Sequence, residues 1–408
     1  MIWLNHVQIP GAGFKNIGIR DGKIAAISEC KPASSERPTP DRAPASSSHT
    51  IPHDRESCAP FHFDDCLAFP GLINSHDHLH FNLFPPLGNR IYANYVDWGR
   101  DIHAVNRDEI EAVLKIPKAL RTQWGIYKNL LNGVTTVVHH GEYLPIAEPP
   151  LTVFQDCHAL HSVKQEPYWR LKLNRPYVEP WPYVIHAGEG SDSAAHREIE
   201  TLLRWNLFKR KLIAVHGVAM TEAQARSFGA LIWCPASNFF LLNKTADVAR
   251  LGEQTPIVFG TDSTLTASWN LWEQLRFARS LGLMPDEALF RAVTQTPAGV
   301  WKMGEKGQLR EGFQADVVVA SKRSNQEGYA PFFELNPVDI VLVMHRGRVV
   351  LCDEIRYRQT AEARLDCDLN RVSFGNSVKY VAGDLTGLIG EINRLAPGLA
   401  CVRLTQDA

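Results

Sequence analysis

Residues 69–80 read FPGLINSHDHLH. The apolar run of Phe69, Leu72 and Ile73, interrupted by Pro70 and Gly71, predicts a short buried strand that ends in His76, His78 and His80. Along an extended segment alternate side chains share a face, so His76 and His78 point one way and Asp77 the other. Two imidazoles so placed can hold one side of an ion. A complete site needs at least one more protein ligand and, for catalysis, an open position. A strand end that carries histidine for packing alone accounts equally well for an isolated pair, so further ligands have to be sought along the chain.

Several downstream strand-like runs end in such residues. VTTVVHHG (134–141) closes on His139 and His140, WPYVIHAGEG (181–190) on His186 and Glu189, KLIAVHG (211–217) on His216, and PIVFGTDS (256–263) on Asp262. LTVFQDC (151–157) and ALIWCPASN (230–238) are further strand candidates. Helical patterns lie between them: from Asn106 to Leu131 with a break at Pro117, over 193–205, from Thr221 to before Gly229 with Gln224 completing a cap, and over 269–281 and 286–296. Strand and helix in alternation predict an α/β protein with a (β/α)8 TIM-like barrel, whose catalytic groups gather at the C-terminal ends of the strands. Only about forty residues separate VVHHG from VIHAGEG, which is tight for the crossovers needed there, so one unit is expected to be degenerate.

The flanks read differently. IGIRDGKIAAIS (17–28) carries a hairpin signal at Asp21-Gly22. Residues 31–60 are rich in Pro and Ser and predict a flexible exposed loop. QLREGFQADVVVA (308–320) predicts a strand pair and IVLVMHRGRVVLC (340–352) another. A small β-sandwich domain built from both chain ends is therefore expected, from 1–68 and 306–408, around a barrel at 69–305, with the tail after 353 packed on the surface. The segment FNLFPPLGNRIYANYVDWGRDIH (81–103) is too irregular for a helix and predicts a lid or binding loop. Its Phe81, Phe84, Tyr95 and Trp98 could stack on a flat ring, and Arg90 could meet an anionic group.

Length and composition bound the function. The 408 residues fit a barrel of about 250 residues plus a smaller partner. Lys plus Arg number 43 against 44 Asp plus Glu, so no strong overall field draws the chain to nucleic acid or anionic membrane, and a small molecule is the expected partner. No membrane-spanning apolar run and no secretory leader pattern is present, which predicts a soluble protein. Eight scattered cysteines without a CxxC pair argue against a disulfide framework and a cysteine zinc site, and fit a reducing cytoplasm.

Taken in order, PGLINSHDH, GVTTVV, VIHAGEG, AVHGV, CPASN, GTDS and QLREGFQADVVV resemble the amidohydrolase superfamily. His186-x-x-Glu189, followed by a strand histidine and CPASN, looks like its aminohydrolase branch, which includes guanine, cytosine, adenosine and S-adenosylhomocysteine deaminases and the triazine hydrolases. The resemblance implies one divalent ion, zinc before iron, bound by His76, His78, His186 and Asp262. It further implies hydrolytic deamination of an amino-substituted N-heterocycle by metal-generated hydroxide, with Asp262 accepting a proton, His216 orienting the nucleophile and Glu189 as the acid for the ring nitrogen. It leaves room for a homo-oligomer.

Plainer accounts exist for several residues. Glu189 could be a helix N-terminal carboxylate, Ser237 and Asn238 a structural turn, and the aromatics of 81–103 lid packing. His80, His103, His139 and His140 are assigned no role beyond substrate contact. Lys164 marks the alternative: carbamylated, it could bridge two metals in an amide or cyclic-amide hydrolase. Ring-chloride hydrolysis at the same centre is the remaining variant.

Overall fold

The computed structural model describes residues 1–29, 59–176, 178–362, 365, 368–375 and 377–397. β1 (Ile2–Ile9), β2 (Gly13–Arg20) and β3 (Lys23–Glu29) form an antiparallel meander. Asp21 and Gly22 join β2 to β3 with φ of 50° and 75°, the left-handed pair that a tight hairpin turn requires. The loop expected over 31–60 lies outside the described residues up to residue 58. Its last two residues instead begin β4 (Ala59–His62), which runs parallel to β1. β5 (Cys66–Pro70) follows.

The central stretch supplies parallel strands. β6 (Leu72–Asp77), β7 (Val134–His139) and β8 (Thr152–Phe154) make one sheet. β9 (His158–Ser162), β10 (Tyr183–Ala187), β11 (Leu212–His216), β12 (Ala230–Trp233) and β13 (Ile257–Phe259) make a second. Every residue of β10 to β13 is buried, as strands covered on both faces must be. The two sheets meet where the chain leaves β6 and β13: the amides of Thr261 and Asp262 donate to the His76 carbonyl at 3.1 and 3.0 Å, and the His78 amide donates to the Asp262 carbonyl at 3.3 Å. Alternation fails between β8 and β9, where residues 155–157 alone connect the strands.

β14 (Val317–Ser321), β15 (Ile340–His345), β16 (Arg348–Asp353), β17 (Leu369–Phe374) and β18 (Ser377–Ala382) complete a ten-stranded sheet ordered β17-β18-β16-β15-β14-β5-β1-β2-β3, with β4 beside β1. The expected sandwich thus meets one continuous sheet to which both chain ends contribute, with Leu4, Val7, Ile17, Phe63, Val317 and Leu342 in its core. Two expectations here are corrected. Residues 308–320 give one strand, β14, and an isolated bridge from Gln314 to Lys23. The tail after 353 is not surface packing: β18 extends the sheet beside β16, and Leu385, Leu388 and Ile392 of the helix Leu385–Leu395 are buried.

The helices divide as the prolines and caps dictate. The pattern from Asn106 becomes Arg107–Leu114 and Lys118–Leu131, parted before Pro117. Thr221 and Gln224 form the expected capping box. The segment 81–103 is corrected: Tyr95–Val105 is a helix, because the Asn94 side chain accepts from the amides of Val96 and Asp97.

Candidate metal centre

Strand geometry puts the side chains of the HDH run on opposite sides. Asp77 turns away from the cavity, and its Oδ2 accepts from Lys128 Nζ (2.9 Å), Asn129 Nδ2 (2.9 Å), Asn74 Nδ2 (3.1 Å) and Thr261 Oγ1 (3.2 Å), while Oδ1 accepts from Asn82 Nδ2 (2.7 Å). This fully satisfied buried pair clamps the strand end. His76 and His78 face the other way. Their Nε2 atoms lie 3.8 and 3.7 Å from Asp262 Oδ1, and His76 Nε2 lies 3.2 Å from His186 Nε2. Gly260 makes this approach possible, since a Cβ there would stand 2.7 Å from the His76 Cβ.

Burial first, and neighbouring imidazoles second, push His76 and His186 well below the usual histidine range. Both rings therefore favour the neutral form, and their Nε2 atoms face each other at 3.2 Å, a separation that one N–H···N hydrogen bond or a shared ion satisfies. The donor set of imidazoles and one carboxylate suits zinc or iron. One donor atom each from His76, His78 and Asp262 lies within 4.8 Å of the others, and the same holds for His76, His140 and His186.

CPASN proves to be more than a turn. Pro235–Leu242 is a helix, and from its first turns Ser237 Oγ donates to Asp262 Oδ2 at 2.7 Å, leaving Oδ1 for the histidines. Asn238 Oδ1 accepts from His216 Nδ1 at 2.8 Å, so Nε2 of His216 is left without its proton. His216 and Asp262 both adopt left-handed backbone, with φ of 71° and 60°, a strained conformation for residues other than glycine that is held by the surroundings. Glu189 Oε1 lies 3.5 Å from His216 Nε2. Burial, then the Asp262 charge, raise the Glu189 carboxyl well above its ordinary range.

These groups share a cavity of about 700 Å³ lined by His78, His186, Glu189, His216 and Asp262, with Phe81, Phe84, Tyr95 and Trp98 on its walls. His103 also lines it. Arg90 does not: its guanidinium pairs with Asp101 at 3.3 Å and stacks over Tyr92. Lys164 is exposed on the turn after β9 and absent from the cavity lining, which removes the support for a bridged binuclear site. His80 and His139 are also absent from the lining. Sequence reasoning passed over His161, which lines the cavity, and over the donor capacity of His140. At the end of a strand one of two consecutive histidines must face inward, and that signal was available in VVHHG.

Residues 182–350 match the Amidohydrolase family. No curated protein sequence matches this chain, but solved structures of other proteins share its fold. A mutant of the atrazine chlorohydrolase of Arthrobacter aurescens, complexed with zinc and atraton, superposes with TM-score 0.63 at 15% identity over 97% of this chain and 100% of that one. A zinc-bound adenosine deaminase from Xanthomonas campestris gives 0.59 at 16% over 89% and 97%. A guanine deaminase from C. acetobutylicum with bound guanine gives 0.59 at 15% over 85% and 99%. At such identities the likeness is one of fold. The family match runs from β10 into β16, and so includes His186, Glu189, His216 and Asp262 but not His76 or His78. Among its described residues no helix is long and apolar enough to cross a membrane.

Proposed function

We propose that the protein is a metal-dependent hydrolytic deaminase of the aminohydrolase branch. Its substrate is an amino-substituted N-heterocycle of purine, pyrimidine, pterin or triazine type, and it holds one divalent ion, zinc before iron, through His76, His78, His186 and Asp262. The reading is carried by Glu189, a carboxyl whose pKa burial raises and which lines the same cavity as His78, His186 and Asp262. The aromatic walls favour a flat ring.

When bound, the ion supplies a water whose pKa is lowered towards neutrality. Asp262 presents Oδ1 to that position and takes the proton the water loses. His216, kept in its Nδ1–H form by Asn238, turns Nε2 to the cavity and orients the attacking oxygen. Glu189 donates its proton to the ring nitrogen as the carbon bearing the amino group is attacked. Asp262 then passes its proton to the departing amino group, ammonia leaves, and the hydroxyl proton of the adduct restores Glu189.

In this reading the two parallel sheets are one barrel over 69–305 with its β8–β9 unit degenerate, and the ten-stranded sheet is a second domain from 1–68 and 306–408. The unbridged thiols of Cys66, Cys157 and Cys234 agree with a cytoplasmic location. The test is ammonia release across a panel of amino-substituted heterocycles. Release that a chelator abolishes and one equivalent of zinc restores is expected. Chloride or a carboxylic acid as product, without ammonia, would move the reaction to ring-chloride or amide hydrolysis, the former favoured by the fold shared with a chlorohydrolase.

A further inference from the structure

Two donor sets in the centre share one residue. His76 meets Asp262 and His186 through the same atom, Nε2, at 3.8 and 3.2 Å. Each set closes within 4.8 Å by itself, and because one lone pair binds one ion, an ion on His76 Nε2 would be common to both. His140 belongs to the second set: its donor atom lies within 4.8 Å of those of His76 and His186. Its ring stacks on His186 with centroids 4.6 Å apart and stands 4.9 and 5.2 Å from the rings of His76 and His78.

His140 is 3% exposed, and neither of its ring nitrogens has a hydrogen-bond partner of good geometry among the described residues. A buried polar group left unmet costs about 1–3 kcal/mol, so an unpartnered imidazole packed among three others needs something that all four can serve. The His140 amide donates to the Asp77 carbonyl at 3.0 Å, which ties its backbone to the clamped HDH strand.

We propose that His140 is a fifth protein ligand of the ion held by His76, His78, His186 and Asp262; the inference rests on the metal centre proposed above. The centre then has four imidazoles and one carboxylate, and its coordination number exceeds the four of a tetrahedral site. The water needed for catalysis takes a further position on the cavity side, where Glu189 and His216 stand.

X-ray absorption on the full-length, metal-loaded protein counts imidazoles directly. Four are expected. Three would overturn the role of His140 while leaving the metal centre in place, whereas a protein that takes up no ion would overturn both. The second measurement compares wild type with His140→Ala after loading with cobalt(II). The wild type should show the weak visible bands of a five- or six-coordinate ion, the variant stronger bands, and affinity in chelator competition should fall about 10–100-fold. Unchanged bands and unchanged affinity would overturn the proposal. If the variant fails to fold by circular dichroism, the imidazole count on wild type decides alone.

Discussion

His216 Nδ1 donates to Asn238 Oδ1 at 2.8 Å, and Asn238 Nδ2 in turn donates to Thr245 Oγ1 at 3.0 Å. The second bond fixes which way the amide points, and the amide fixes which nitrogen of His216 carries the proton. Asn238→Ala should therefore lower kcat by about 10–100-fold while metal content stays at the wild-type value. Kinetics beside metal analysis check this, and an unchanged kcat would separate His216 from the chemistry.

Glu189→Gln keeps shape and metal but removes the donated proton. A loss of about 10²–10⁴ in kcat is expected, the usual contribution of a positioned acid. Because burial raises the Glu189 pKa, the acid form persists above the ordinary carboxylate range, and wild-type activity should fall as pH rises through the raised value. The glutamine variant should lack that alkaline limb in its residual activity. Full activity in the variant would remove Glu189 as the acid.

A second carboxyl bears on stability. Glu198, on the buried face of Ser193–Trp205, accepts from the Tyr95 hydroxyl at 3.2 Å and is pushed up by burial from 4.5 to about 7. Between those values the folded chain keeps a proton that the unfolded chain releases. Stability from this group is full below pH 4.5 and lost as pH rises towards 7. Glu198→Gln should flatten that part of the profile, on the order of 3 kcal/mol. Melting temperatures of both proteins across the window test it, and parallel curves would refute it.

Lys128 and Asp77 are 2% and 0% exposed and sit 2.9 Å apart. Removing one partner strands the other charge, so Lys128→Met should cost about 3–5 kcal/mol. Adding Asp77→Asn should recover part of it, since no uncompensated charge then remains. Denaturant unfolding of the single and double variants measures the difference, and a double variant weaker than Lys128→Met would count against the clamp.

What the sequence made legible follows from short-range periodicity. The period of two along 72–78 assigned His76 and His78 to one face and Asp77 to the other, and the runs ending at His186, His216 and Asp262 marked strand ends without any knowledge of their partners. Contacts between distant segments were not legible in this way. Ser237 and Asn238 looked like a turn because their partners, Asp262 and His216, lie 25 and 22 residues away. The helix Tyr95–Val105 was hidden by aromatic and Gly residues of low helix propensity, although Asn94 supplied its cap. β17 and β18 are short and finish a sheet whose other strands lie far back in the sequence, so local pattern alone did not reveal them.

Metal per chain, measured on purified wild type beside Asp262→Ala, tests the centre most directly. One equivalent of zinc or iron in the wild type, with both metal and ammonia release damaged in the variant, is predicted. A fully metallated and active Asp262→Ala protein would contradict the account.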